Sequence, residues 1–482
     1  MKNVIFISPN FPTNYWQFCR ALKGNGLNVL GIGDQPYDSM APEVRASLTE
    51  YYWVDSLENT EAVYRAVGYF IHKFGRIDWL ESNNEYWLER DAWLRTQFHI
   101  TSGFQEGDID RVKYKSKMKA YYAKAGIPAC RWHMVDDFES CMKFIKEVGW
   151  PVVVKPDNGV GASDTHKLSN EAELRAFLDG RRTWVPYIME EFVHAEVNSY
   201  DAIIDSKGKP MFETGNVTPN SIMDIVNQQD NSIYYIVKEL APDVQKAGRA
   251  AVKAWGVKSR FVHFEFFRLT QDQEGLGKKG DVVALEVNMR PCGGFTPDMI
   301  NFAHSTNVYQ IWADMVAYDH SETPEGEHAF CAFVGRRDGK DFALTDEGLM
   351  AKYYKEMRLA DRIPDALADA MGNRMYVAVF PTKEEMDKFY ADALALSTHK
   401  PTPAPVAKKP AAKKAAAKPA EKPAVKKAAE KKAGAAAKPT VEKPVEEKPV
   451  EKKVPTAKKP VATKAPAPKK PAAKKPAAKK GK

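Results

Sequence analysis

From Pro401 to Lys482 the chain consists almost wholly of Lys, Ala, Pro, Val, Glu and Thr, without one aromatic residue. A segment of that composition cannot bury enough apolar surface to offset the conformational entropy lost on folding. Alanine and lysine favour helix, but recurrent prolines interrupt it every few residues. Residues 399–482 are therefore expected to form a disordered, extended polycation, and every packed element must come from the residues before them. The charge divides at the same place. The segment from Pro401 carries 25 Lys and 6 Glu, about +19, within a chain that has 71 Lys and Arg against 63 Asp and Glu. Residues 1–400 are left with 46 basic and 57 acidic groups, or −11, so the formal +8 of the whole describes neither part.

The body is long enough for two or three domains with ample cores. Its five cysteines are odd in number and scattered, which suits a reducing compartment and provides no metal or disulfide framework. The opening "MKNVIFISPNF" has too short an apolar run for a signal peptide, and no later stretch is long enough for a bilayer. The expectation is a cytoplasmic protein with no membrane partner.

"NVIFIS", an aromatic-rich helix and "LNVLGIG" read as strand–helix–strand, the opening of a doubly wound α/β domain over residues 1–111. A helix near 60–74 and the short "IDWLES" continue it, and loop 8–14 falls where open sheets place ligands. GxGxxG is absent, so this is not a dinucleotide fold. Over residues 112–320 the pattern becomes α+β. Helices are expected at 112–125 and 136–148, and strands at 186–193, 199–204, 260–269 and 282–289. Residues 321–398 alternate again, with a helix near 345–357 and another from 383, and are expected to form a small closing lobe.

Four stretches carry chemistry. In "PVVVKPDNGVGASDT" (151–165) a strand delivers Lys155 to a loop with Gly159 and Gly161. Glycines let backbone N–H groups approach phosphate, and the lysine adds a point charge. A plain hairpin with a surface lysine accounts for it equally well. In "YKSKMKAYYAKAGIP" (114–128), Lys115 and Lys119 stand four apart on one helix face, as simply solvated lysines also do. In "YIMEEFVHAEVNSYDAIID" (187–205), Glu190 and Glu191 lie at a bend and Glu196 follows, which suits either an adenine-and-ribose contact or a charged surface hairpin.

The fourth pairs "RFVHFEFFRL" (260–269) with "VVALEVNMRPCGG" (282–294). Alternation puts His263 and Glu265 on one face of the first strand, and Glu286, Asn288 and Arg290 on one face of the second. An antiparallel hairpin sets Glu265 beside Glu286 and Asn288. Opposed carboxylates repel, so something must compensate them. Two carboxylates and an amide are oxygen-only ligands suited to Mg²⁺ (or Mn²⁺), and Arg290 suits a phosphate or carboxylate. A solvent-facing polar row is the alternative, and His263 is equally readable as a core histidine.

The order of these motifs resembles the ATP-grasp superfamily, which includes biotin carboxylase, D-alanine–D-alanine ligase and the carbamoyl phosphate synthetase large subunit. The resemblance covers roughly residues 1–320. It implies a Rossmann-like pre-ATP-grasp domain followed by an ATP-grasp fold whose two subdomains close on ATP, with loop 155–165 as a lid. By the same resemblance Lys115, Lys155, Gly159 and Gly161 contact ATP phosphates. Glu190, Glu191, Phe192 and Val193 form the adenine hinge, partly through backbone, and Glu196 takes the ribose. Glu265, Glu286 and Asn288 hold magnesium, and Arg290 holds the phosphoryl or acyl-phosphate oxygens. Tyr114 and Ala195 depart from the family, which often has Asp and Gly there.

The implied activity is an ATP- and Mg²⁺-dependent, ADP-forming ligase that joins a small-molecule carboxylate to an amine or other nucleophile. A grasp-type kinase or carboxylase is the enzymatic alternative. Residues 213–235 and 291–304 are expected to line the acceptor pocket. The tail is similar to the carboxy-terminal tails of linker histones and their bacterial counterparts. That similarity implies non-specific binding to DNA or RNA through residues 401–482, association with the nucleoid, or a scaffold whose ATP site is regulatory. A solubilising tether is the plainer reading, and nothing in the sequence indicates the oligomeric state.

Overall fold

Four short strands near the amino terminus hydrogen-bond in parallel: β1 (Asn3–Ile7), β2 (Asn28–Gly33), β3 (Glu50–Trp53) and β4 (Trp79–Glu81), in the order β3-β2-β1-β4. Strand β1 is buried at every residue, as a parallel strand covered on both faces must be. Helices α1 (Trp16–Gly24), α2 (Pro42–Ser47), α3 (Thr60–Phe74) and α4 (Leu88–Gln97) complete this α/β layer. The computed structural model describes residues 1–159, 164–219 and 230–397. Gly161, part of the expected lid, part of the 213–235 pocket segment and the basic tail lie outside the described residues. Among the described residues, no helix is long and apolar enough to cross a membrane.

The expected helix over 112–125 is two helices, α5 (Asp110–Lys113) and α6 (Lys115–Ala125), with Tyr114 extended between them. The break has a partner far along the chain. Lys115 N–H donates to Asp157 O at 2.9 Å, and Ser116 N–H and Oγ–H donate to the Asp157 carboxylate at 2.7 and 2.6 Å. Asp157 thereby satisfies the free N–H groups that open α6. Gly126, in the left-handed conformation, closes the helix as expected.

Next comes a small antiparallel sheet in the order β5-β8-β6-β7, made from β5 (Trp132–Met134), β6 (Val152–Pro156), β7 (His166–Leu168) and β8 (Tyr187–Glu191). Helices α7 (Phe138–Val148) and α8 (Glu171–Gly180) pack on it around Cys141, Phe144, Val152, Val154 and Leu174.

The large sheet runs β14-β13-β9-β11-β12-β15-β17-β16, with β10 hydrogen-bonded to β9. Its strands are β9 (Ala195–Ile204), β10 (Pro210–Thr214), β11 (Asn216–Thr218), β12 (Ser232–Ile236), β13 (Arg260–Leu269), β14 (Val282–Asn288), β15 (Phe330–Arg336), β16 (Met357–Arg362) and β17 (Arg374–Phe380). Strand β9 begins four residues before the expected 199, which puts Glu196 on the strand. The strands of segment 321–398 continue this same sheet, because β12 pairs with β15 over five residues. The next helices, α9 (Pro242–Trp255), α10 (Thr296–His304) and α11 (Val308–Tyr318), are not among those the sequence predicts, nor are α2, α4 and α8 above. Beyond them come α12 (Asp346–Lys352), α13 (Asp365–Met371) and α14 (Lys383–Leu394), and α12 stops short of 357 because Met357 opens β16.

Strands β9 and β13 match residue for residue from Arg260 opposite Ile204 to Leu269 opposite Ala195. One face of this pair buries Tyr200, Ala202, Val262, Phe264 and Phe266 against α6 and α9. Each fully buried large apolar side chain there stabilises by about 1.5–3 kcal/mol. The face that remains is the platform for the polar residues described next. A buried ion network fastens the amino-terminal sheet to it. Glu81 Oε2 at the end of β4 lies 3.0 Å from Arg95 and 2.7 Å from Arg260, and Arg260 also donates to Met289 O at 2.7 Å.

Candidate active site

The expected hairpin is present, with Glu265 directly opposite Glu286 and His263 opposite Asn288. The alternation on β14 is not strict. A bulge places Ala284 opposite Phe266 and leaves Leu285 as the extra residue, so Val283 and Ala284 are both buried while Leu285 is half-exposed. Such a bulge re-aims the residues beyond it, and here those are Glu286 and Asn288.

The two opposed carboxylates do not neutralise each other's cost; each has its own cation. Lys115 Nζ lies 3.0 Å from Glu286 Oε1 and donates to Gly159 O at 2.9 Å. His263 Nε2 lies 3.2 Å from Glu265 Oε1, and its Nδ1 lies 2.8 Å from Asp201 Oδ1. Burial opposes a charged imidazole, but the interactions with Cys292 and Asp201 outweigh it and hold His263 well above the usual histidine range. Burial likewise pushes Glu265 up, and His263, Arg290 and Lys155 override it and bring its carboxyl below the usual range.

A second balanced group sits beside this one. Glu190 accepts from Lys119 on Oε1 and pairs with Lys155 on Oε2 at 2.7 Å, all three side chains being nearly buried. Burial raises the Glu190 pKa, but the two ammonium groups win and depress it well below the carboxylate range. Lys119 also contacts Cys130 Sγ at 3.3 Å. Lys119 is a site residue whose role the sequence did not reveal; its only signal was its spacing of four from Lys115.

At the expected hinge, the side chains of Glu190 and Glu191 are already engaged. Glu191 accepts from Arg131 backbone N–H at 2.6 Å and from its guanidinium at 2.7 and 3.1 Å. Neither carboxylate is free for a ligand, and Glu191 N–H also donates to Arg131 O at 3.1 Å. Gln273 spans the turn, donating to Phe192 O at 2.9 Å and accepting from His194 N–H at 3.3 Å, while Lys167 stands 4.0 Å from the Phe192 ring centre. Val193 is buried in a small cluster with Cys130, Leu269, Leu276 and Val283. Glu196 does not join the polar platform. It faces Arg268 in the ladder, and the alternation puts both on the Asn198 and Tyr200 side of the sheet, opposite Asp201 and Glu265. Its contact is Asn198 Nδ2, 3.4 Å away.

Arg290 closes the row. Its Nη1 donates to Pro291 O at 2.8 Å, and its Nε is 3.9 Å from Glu85 Oε2. No described carboxylate holds the guanidinium bidentately, so its fork is open to an anion. Glu85 comes from the loop after β4 and is paired with Lys113 at 3.7 Å; burial pushes its carboxyl up against the pull of Lys113 and Arg290. Its Oε2 is buried without a hydrogen-bond partner. The loop after β1 also arrives here, Asn14 Nδ2 donating to Gly294 O at 3.1 Å and to Asp298 Oδ2 at 2.7 Å.

Glu265, Glu286 and Asn288 thus share one sheet face and offer oxygen donors only, a set that fits Mg²⁺ or Mn²⁺. Lys115, Lys155 and Lys119 supply ammonium groups beside them. An anion with several oxygens plus a hard cation can replace the internal pairings one for one, so opposite charges remain matched when it binds.

No protein-family model matches the chain. Its structure is similar to the L-amino acid ligase from Bacillus licheniformis (TM-score 0.58, 15% identity, 81% of this chain and 96% of that one). It is similar to N5-carboxyaminoimidazole ribonucleotide synthetase from Thermotoga maritima (TM-score 0.55, 16% identity, 82% and 98%). A third similar structure is the biotin carboxylase domain of the Hydrogenobacter thermophilus 2-oxoglutarate carboxylase, in complex with MgADP, ADP and bicarbonate (TM-score 0.56, 14% identity, 82% and 90%). Likeness at these identities concerns architecture, and the architecture is that of the ATP-grasp fold preceded by a Rossmann-like domain.

Proposed function

We propose that the chain is an ATP- and magnesium-dependent ligase that activates a carboxylate as an acyl phosphate for attack by an amine or other nucleophile, releasing ADP and phosphate. The observation that carries this reading is the convergence of Lys115, Lys119 and Lys155 on the carboxylates of Glu286 and Glu190, beside the open guanidinium of Arg290. Similar structures are ligases, synthetases and carboxylases by name, one of them in complex with MgADP.

In this reading Lys155 and Lys115 leave their carboxylates to take phosphate oxygens, and Lys119 keeps Glu190 ionised and in place. Glu265, Glu286 and Asn288 would hold Mg²⁺, which supplies charge neutralisation at the transferred phosphoryl group. Arg290 fixes the acceptor carboxylate and then the acyl phosphate, so that positioning and charge matching provide the rate enhancement. Backbone groups of Glu191 to Val193 take the adenine edge. A kinase or carboxylase differs only in what leaves the site.

The basic tail carries a second, separable proposal, non-specific DNA or RNA binding through residues 401–482, favoured by its 25 lysines. The test is ADP release from ATP by the full chain and by residues 1–400, with Mg²⁺ and pooled carboxylates and amines. Acceptor-dependent ADP release by both proteins supports the ligase, and phosphorylated acceptor without a condensed product would replace it with a kinase. Loss of DNA and RNA retention in the shorter protein alone assigns that property to the tail.

A further inference from the structure

The far end of helix α10 gathers polar groups that take no part in the lysine–carboxylate pairings described above, although Thr214 and His304 fall in the segments expected to line the acceptor pocket. His304, its last residue, is 3% exposed, and its Nε2 lies 2.7 Å from Thr214 Oγ1. With Nε2–H donating to that hydroxyl, Nδ1 carries the lone pair, and Nδ1 is buried without a hydrogen-bond partner. The His328 ring stands nearly perpendicular to it, centres 4.5 Å apart, and His328 Nε2 is 3.3 Å from Glu325 Oε2. One donor atom from each of His304, Glu325 and His328 lies within 4.8 Å of the others.

The segment carrying Glu325 and His328 is strapped across the helix end. Gly326 N–H donates to His304 O at 3.0 Å and Ala329 N–H to Ala303 O at 2.7 Å. Ser305 Oγ–H donates to Glu327 O at 3.0 Å, and Thr306 Oγ1–H to Pro324 O at 2.8 Å. The backbone positions of the three donors are therefore fixed.

We propose that His304, Glu325 and His328 form a Zn²⁺ site separate from the nucleotide platform. Two imidazoles and one carboxylate suit zinc and disfavour Mg²⁺ and Ca²⁺, which take oxygen ligands. Thr214 acts as the outer partner that sets the ligating tautomer of His304. Bond lengths of about 2.0–2.2 Å put tetrahedral ligands roughly 3.4 Å apart. Glu325 and His328, both exposed, move in on a fixed His304 to reach that spacing, and water takes the fourth position. The bound ion fastens the 324–329 strap to α10, the helix that begins just after the Arg290 loop.

The test uses the untagged full chain, stripped with EDTA and titrated with Zn²⁺ against a competing fluorescent chelator, with Co²⁺ absorption as a report of geometry. The expected result is one Zn²⁺ per chain, with a tetrahedral Co²⁺ spectrum, weakened roughly tenfold or more by His328→Ala and by Glu325→Ala. Both changes alter exposed side chains, and an unchanged Tm in EDTA verifies that each variant folds. Asp201, His263 and Cys292 form a second group with donors within 4.8 Å, so Cys292→Ser is the control and should leave the affinity as it was. No Zn²⁺ uptake, or uptake that survives His328→Ala and is lost in Cys292→Ser, would overturn the assignment.

Discussion

The carboxylate of Glu190 lies between Lys119 and Lys155 and is 4% exposed. Replacing it by an amide of the same shape takes from two nearly buried ammonium groups the carboxylate that pairs them. Breaking one side of a buried ionic group costs about 3–5 kcal/mol, more than the loss of an ordinary hydrogen bond, so Glu190→Gln should lower the urea midpoint substantially. The pH dependence has a definite sign. Folding depresses the Glu190 pKa below its ordinary 4.5, so its contribution is present above that pH and is lost as pH falls further. The Glu190→Gln variant, already without that contribution, should show a shallower fall in stability than wild type from pH 4.5 downward. Equal acid slopes would mean that Glu190 is not the ionised partner of the two lysines.

Helix α9 lies against strand β9 at Gly248, where a Cβ would stand 2.1 Å from the Tyr200 ring. Alanine is the better helix former by about 0.8–1.0 kcal/mol, yet overpacking of a closed core costs about 1–3 kcal/mol. The clash should win, and Gly248→Ala should unfold at lower denaturant than wild type; a rise in midpoint would show that helix and sheet part easily. The hairpin that carries Glu265, Glu286 and Asn288 was legible because alternation is a local property of each strand, and it placed Glu265 beside Glu286 and Asn288 without fixing the register. The bulge at Leu285 was not, since an extra residue is settled by the partner strand. The same reason explains Tyr114, whose break in the helix is set by Asp157 more than forty positions away. The Glu191 side chain is claimed by Arg131, and only the fold brings those two together.

At the scale of the molecule, an acidic body of −11 is joined to a tail of about +19. If ~8 phosphates are neutralised by the tail, affinity for duplex DNA should fall on the order of 10³–10⁵ between 50 and 200 mM salt, with little sequence preference. A salt-independent retention would remove counterion release as its basis. The composition break and the Rossmann-like opening were readable from pattern alone, and the ATP-grasp resemblance from the order of motifs. The single sheet that runs from β14 to β16 was not, because its order is non-sequential and depends on β12 joining segments almost a hundred residues apart. The central claim is that the polar face of the β13–β14 hairpin serves MgATP chemistry. The most direct measurement is ADP release by the full chain with Glu286→Ala, supplied with Mg²⁺, ATP and the pooled acceptors, alongside a thermal melt. The prediction is loss of ATP turnover in a variant that still unfolds cooperatively, at a lower midpoint because Lys115 loses its paired carboxylate; a folded variant that turns over ATP like wild type would contradict it.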